Sequence, residues 1–197
     1  MEIARRKNQV QIEERAKKIL QFDFEGGVKE IVNRVKKLSA KETILIAVYG
    51  WPNRGKTHLI ERLVKEFGEL GIEAGGCGSA PNASTFEAIE RIDKNLNDSI
   101  SQEGTRLKRF ASIFHCGWAR GERQDYERGS DHEDPNILAE KILNKKIHIN
   151  IFIYRTDISE IGINGECDLI IRNPDSVDKP LLHPDDYKAK LNPDKSL

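Results

Sequence analysis

The stretch Ile44-Leu45-Ile46-Ala47-Val48-Tyr49-Gly50-Trp51-Pro52-Asn53-Arg54-Gly55-Lys56-Thr57-His58-Leu59-Ile60 governs the reading of this chain. Residues 44–49 are a continuous apolar run rich in β-branched side chains. The run is too short for a typical helix, so it predicts a strand buried on both faces. A glycine-containing loop follows. Beyond it Leu59, Ile60, Leu63, Val64, Phe67 and Leu70 recur at helical spacing. Gly71 stands where a helix end needs left-handed backbone.

The loop matches G-x-x-x-x-G-K-[ST] in full, and each fixed position has a physical task. Gly50 lets the chain turn tightly off the strand. Gly55 lets backbone N–H groups approach an anion closely. Those groups and the start of the following helix form an anion nest. Lys56 is the residue type that reaches β- and γ-phosphates as a point charge, and the Thr57 hydroxyl is the type that ligates Mg²⁺. Asn53 tolerates left-handed geometry where many such loops carry glycine. Trp51 either shields a nucleotide or packs on a neighbouring loop. Arg54 either faces solvent or adds charge beside the phosphates. Gly50, Trp51, Pro52, Asn53, Arg54, Gly55, Lys56, Thr57 and His58 are therefore the expected nucleotide-binding residues, with Thr57 as metal ligand.

Outward from the loop, strands and helices alternate. Residues 72–77, 110–116, 147–154 and 169–171 read as further strands. Ser84 and Glu87 have capping-box spacing before a helical stripe of Ile89, Ile92, Leu96 and Ile100. Asp134 and Pro135 read as the N-cap and first turn of a helix to about Leu143. The pattern predicts an α/β three-layer sandwich with a mostly parallel, five-stranded sheet and N-terminal helices. Residues 1–40 read as a helical extension packed on the domain. Gly26 and Gly27 separate a helix carrying Val28, Ile31, Val32, Val35 and Leu38 from an earlier one carrying Ile12, Ala16, Ile19 and Leu20. Residues 41–173 form the nucleotide-binding domain, and the proline- and charge-rich residues 174–197 an extended tail.

Composition narrows the partners. Lys plus Arg and Asp plus Glu number 32 each. Such balance offers no electrostatic case for nucleic-acid or membrane binding. The three cysteines, Cys77, Cys116 and Cys167, have no CxxC spacing, which speaks against a disulfide framework and for a reducing compartment. Without an apolar leader or a membrane-length run, the expected location is the cytoplasm. Nothing in the sequence bears on oligomeric state.

On these residues the chain resembles the P-loop NTPases, and two branches compete. GWPNRGKTHL is similar to the GxPNxGKS loop of translation-factor-type GTPases. Their D-x-x-G and N-K-x-D motifs do not follow, and Tyr154-Arg155-Thr156-Asp157 keeps only an aspartate. The coarser but longer resemblance, over residues 28–173, is to the uridine kinase and phosphoribulokinase group. It includes Asp168-Leu169-Ile170-Ile171-Arg172-Asn173 as a late strand. Ala111-Ser112-Ile113-Phe114-His115-Cys116-Gly117-Trp118 resembles a strand that those kinases end with an acidic residue. Here His115 and Cys116 stand in the acid's place.

The resemblance implies an ATP-dependent kinase acting on a nucleoside or other small metabolite, with Mg²⁺ and with GTP as the alternative nucleotide. Lys56 would neutralise β/γ charge. Arg120 and Arg123, with Arg128 in the polar stretch 117–134, would serve as lid residues stabilising transition-state charge, or belong to a solvated loop. Asp131-His132-Glu133-Asp134 offers a metal ligand, a base, or simply a helix cap. Cys77, His115 and Cys116 offer a soft-metal site or small residues packed near the loop. The missing acid keeps a second function open: a nucleotide sensor with little turnover.

Overall fold

The computed structural model describes residues 19–38, 42–50, 54–79, 83–103, 109–116, 135–155 and 167–173, with backbone alone for 77–79 and 96–103. Among the described residues there are six strands: β1 Leu20–Asp23, β2 Ile44–Tyr49, β3 Ile72–Ser79, β4 Arg109–His115, β5 Ile149–Tyr154 and β6 Leu169–Arg172. The described residues also form four helices: α1 Phe24–Lys37, α2 Lys56–Glu69, α3 Ala83–Glu103 and α4 Pro135–Leu143. The strands form one sheet in the order β1-β6-β5-β2-β4-β3. Every pairing is parallel.

The sheet therefore has six strands where five were expected, and it is wholly rather than mostly parallel. The extra strand is β1, in a stretch that the sequence reads as helical. It pairs with β6 through Leu20 opposite Leu169 and Phe22 opposite Ile171. Leu20 is 53 % exposed, so this edge strand has no continuous apolar run to announce it. Its register comes from β6, far along the chain.

The two glycines also act differently from expectation. Gly26 and Gly27 lie inside α1 rather than between helices. Asp23 caps the helix from extended backbone, its carboxylate accepting from Gly26 N–H at 2.7 Å. A Cβ on Gly27 would come within 2.6 Å of the Ile171 side chain. The glycine thus lets α1 settle directly on β6. Ser84 is likewise inside α3, within its first turn, and so is not the N-cap.

Both faces of the sheet are covered. Ile44, Ile46 and Val48 of β2 join Ile151 and Ile153 of β5 under α1 and α2, through Val28, Ile31, Val35, Leu59, Leu63 and Phe67. Leu45, Ala47 and Tyr49 point the other way, with Phe114 and Phe152, under Phe86 and Ile89 of α3 and Leu138 and Ala139 of α4. All six residues of β2 and of β5 are buried. Burying a Leu, Ile, Val or Phe side chain contributes roughly 1.5–3 kcal/mol. The two central strands are therefore enclosed on both faces, and the phosphate-loop sequence leaves directly from one of them. Among the described residues no helix is long and apolar enough to cross a membrane.

Candidate functional site

β2 lies between β4 and β5, and its carboxyl end is where the chain divides. Onward from β2 it runs through α2 to β3 on one side of the sheet, while β5 and β6 lie on the other. Ligand crevices of open parallel sheets form at such points. Gly50 opens the turn with φ of +149°, and a Cβ there would meet the Ile153 carbonyl oxygen of β5 at 2.4 Å. Backbone approach from the neighbouring strand therefore demands glycine. Gly55 closes the turn in left-handed geometry, φ +88°, as N-cap of α2, without a side-chain cap. Its carbonyl accepts from Leu59 N–H at 2.9 Å. No acidic residue occupies the first turn of α2. That turn presents its N–H groups with no carboxylate of its own competing for them.

Lys56 is the first residue of α2 and is buried. Its Nζ donates to the Gly50 carbonyl at 2.6 Å, tying the helix start back to the turn. Desolvation pulls its pKa down from 10.5 to about 7; negative charge at Cys116 opposes the shift and the Arg54 guanidinium adds to it. A buried ammonium whose charge is this costly is set up for an anion, which would restore its affinity for a proton.

Arg54 does not face solvent: it is 4 % exposed and acts electrostatically on Lys56. Of the two alternatives for this residue, the solvent-facing one does not hold. The backbone of Arg54 is positioned by Asn173, just past β6. The Asn173 side-chain amide donates to the Arg54 carbonyl at 3.4 Å, and its N–H donates to the Tyr154 carbonyl at 2.8 Å. Thr57 and His58 are exposed. The His58 ring stands edge-on to Phe24, with centroids 4.9 Å apart and an interplanar angle of 80°. This contact joins the start of α2 to the start of α1.

The end of β4 supplies the opposite wall. His115 is in register with Val48, and Cys116 N–H donates to the Val48 carbonyl at 2.9 Å. Burial, and then the charge of Lys56, lower the His115 pKa from 6.5 to about 4, so the imidazole is neutral at pH 7. Cys116 is buried and outside any disulfide, and its Sγ lies 3.9 Å from the Phe114 carbonyl. The structure thus brings Gly50, Arg54, Gly55, Lys56, His115 and Cys116 together. Trp51, Pro52 and Asn53 lie outside the described residues, as do Arg120, Arg123, Arg128 and the run Asp131-His132-Glu133-Asp134.

The Mg²⁺ expected from the family resemblance can be tested on the donors present. Mg²⁺ takes hard oxygen ligands in near-octahedral geometry. The Thr57 hydroxyl qualifies, but the residues ending β4 offer imidazole nitrogen and thiol sulfur, which suit softer metals. Among the described residues no group of three or more His, Cys, Asp or Glu side chains is placed to hold a metal ion. The side chain of Cys77, the third member of the soft-metal alternative, lies outside the described residues. The described donors do not fit Mg²⁺.

Two features here carry no sequence signal. Asn173 reaches a loop 119 residues away, so no local pattern marks it. Behind β2, the buried Asn136 amide donates to Tyr49 Oη at 2.8 Å and to Asn150 Oδ1 at 3.1 Å. Tyr49 also stacks on Phe152 at 5.1 Å. These side chains come from β2, α4 and β5, so their pairing is tertiary. Compared with protein-family models, curated proteins and solved structures, the chain matches none.

Proposed function

We propose that this chain is a P-loop NTPase-type protein that binds a nucleoside triphosphate, ATP before GTP, through residues 50–57. The observation that carries the reading is the buried Lys56 ammonium, held by Gly50 at the first turn of a helix that follows a strained glycine turn off a central parallel strand. The motif, the uncapped helix start and the position at the dividing point of the sheet support the same ligand, a polyphosphate.

Two activities build on that binding. The end of β4 favours a nucleotide-responsive protein with little turnover, because His115 and Cys116 supply no carboxylate there. Phosphoryl transfer to a nucleoside or other small metabolite is the second reading, favoured by the long resemblance to the uridine kinase and phosphoribulokinase group; Arg120 and Arg123 would then act on the transferring phosphoryl group.

Calorimetric titration of ATP and GTP into the wild type and Lys56→Ala tests the binding. ATP should bind the wild type and lose affinity about 10-fold or more in the variant. If the wild type takes up neither nucleotide, the phosphate-loop reading is wrong. A stronger response to GTP would instead favour the GTPase branch. Phosphate release or acceptor phosphorylation over a panel of nucleosides and sugars would separate the kinase from the sensor.

A further inference from the structure

We propose that His148 is an acid-sensitive latch between the two central strands: as a neutral ring it closes the amino end of the β2–β5 ladder, and on protonation it releases it. The inference is independent of what the phosphate loop binds.

Strand β5 begins at Ile149, in register with Ile46 of β2. One residue earlier a side chain finishes the ladder. His148 N–H donates to the Leu45 carbonyl at 2.9 Å, and Leu45 N–H donates to His148 Nδ1 at 3.0 Å. Leu45 is 0 % exposed, so water does not stand ready to replace a lost acceptor. The bond also fixes the tautomer. Nδ1 must present its lone pair, so the single proton of the neutral ring sits on Nε2. That nitrogen faces the Glu42 carboxylate at 3.5 Å.

The two nitrogens therefore answer to acid in opposite ways. The Nε2 proton is present in both forms, and its attraction to Glu42 grows when the ring becomes cationic. A second proton can enter only at Nδ1, where it meets the Leu45 N–H. The acceptor becomes a donor and the bond is lost. Glu42 reaches the ring from the residues leading into β2. Asp93 acts on it from α3, and Lys145 from the connection between α4 and β5. These last two are paired at 2.6 Å, and Asp93 also accepts from Thr43 Oγ1. Burial lowers the affinity of the ring for protons and Lys145 assists, while Glu42 and Asp93 oppose. The contribution of the latch is thus present above about pH 6.5 and is lost as pH falls towards the depressed folded value.

The neighbouring ladder supplies the contrast. Asp168 stands just before β6 in the same arrangement. Its N–H donates to the Asn150 carbonyl at 2.9 Å, and its carboxylate accepts from Asn150 N–H at 2.7 Å. A carboxyl group keeps an acceptor oxygen with or without its proton, and an imidazole does not. Of these two ladder ends, only the one at His148 is switched by acid. The latch and the phosphate-loop sequence lie at opposite ends of β2.

The test is NMR of the full, isotope-labelled chain between about pH 7.5 and about pH 5. At the upper end the His148 ring should carry its proton on Nε2, with Nδ1 bare. On acidification the hydrogen-exchange protection of the Leu45 amide should fall at least about 5-fold more than that of Asn150. His148→Asn puts an oxygen acceptor that does not titrate near the place of Nδ1. It should remove the excess fall at Leu45. A proton on Nδ1 in the neutral ring overturns the proposal, as does a smaller difference between Leu45 and Asn150. An excess fall that persists in His148→Asn overturns it too. Should that variant not fold, the two wild-type readouts decide alone.

Discussion

Lys56 Nζ lies 2.6 Å from the carbonyl oxygen of Gly50 and donates to it, so the first residue of α2 is bonded back to the turn that leaves β2. The bond holds the ammonium against the start of the loop. It does so at a cost, because burial lowers the lysine pKa to about 7.

That shift fixes a pH dependence. Between about pH 7 and the ordinary lysine value of 10.5, the unfolded chain binds a proton at this residue that the folded chain does not. Stability should therefore rise with pH across this window and be lowest below it, where the buried charge is fully present. Urea unfolding of wild type and Lys56→Met at pH 7 and pH 9.5 checks the sign: the rise should be larger in the wild type. Pyrophosphate should stabilise the wild type more at pH 7 than at pH 9.5, and should stabilise the variant less than the wild type at pH 7. An equal rise in both proteins would show that the lysine is not desolvated.

His115 titrates the other way from a typical surface histidine. Its pKa of about 4 means that the unfolded chain takes up a proton first as the solution is acidified. The stability due to its neutral form is present above about pH 6.5 and is lost as pH falls towards 4. Proton NMR of the imidazole should show a midpoint near 4, moving upward in Lys56→Met because one of its two causes is gone. A midpoint near 6.5 in the wild type would mean the ring is solvated.

Gly50→Ala should be severely destabilising. The residue has φ of +149°, and the added methyl would press on the Ile153 carbonyl at 2.4 Å. Strained backbone alone costs about 1–3 kcal/mol, and the clash adds to it. Gly71→Ala has open space around it and suffers from its φ of +72° alone. Chemical denaturation should rank Gly50→Ala well below Gly71→Ala, and equal losses would contradict the close approach of β5.

The contact of α1 with the sheet can be tested by compensation. Gly27→Ala places a methyl 2.6 Å from the Ile171 side chain, an overpacking that typically costs about 1–3 kcal/mol. Ile171→Ala removes the obstructing atoms but opens space of its own. The double variant should lose clearly less stability than the sum of the two single losses. Strict additivity would place the helix elsewhere.

Tyr49→Phe removes one of the two acceptors of the Asn136 amide and keeps the stacking on Phe152. The loss should be about 1 kcal/mol by thermal or urea unfolding. Asn136→Leu, which removes the donor to both Tyr49 Oη and Asn150 Oδ1, should cost more than Tyr49→Phe.

Much of this was legible along the chain. The apolar runs of β2 and β5 announced strands because strands buried on both faces need no alternation. The stripe from Leu59 to Phe67 and the stop at Gly71 announced α2, and the G-x-x-x-x-G-K-[ST] spacing announced the turn between strand and helix. β1 escaped because a short edge strand carries neither a run nor a clean period. Gly26 and Gly27 were misread because a glycine chosen for close packing looks, in sequence, the same as one chosen to break a helix.

For the candidate site the division follows the range of the interaction. Local steric rules specify the turn, its glycines and the lysine, since all of them lie within a few residues of one another. That Arg54 is buried, which residue of β4 stands beside Val48, and that Asn173 holds the loop from behind are consequences of strand order. Sequence-distant strands become neighbours only when the sheet assembles. The cationic character of the turn is therefore written in the local sequence, while its burial, and with it the strength of its demand for an anion, comes from the tertiary fold that excludes water around it.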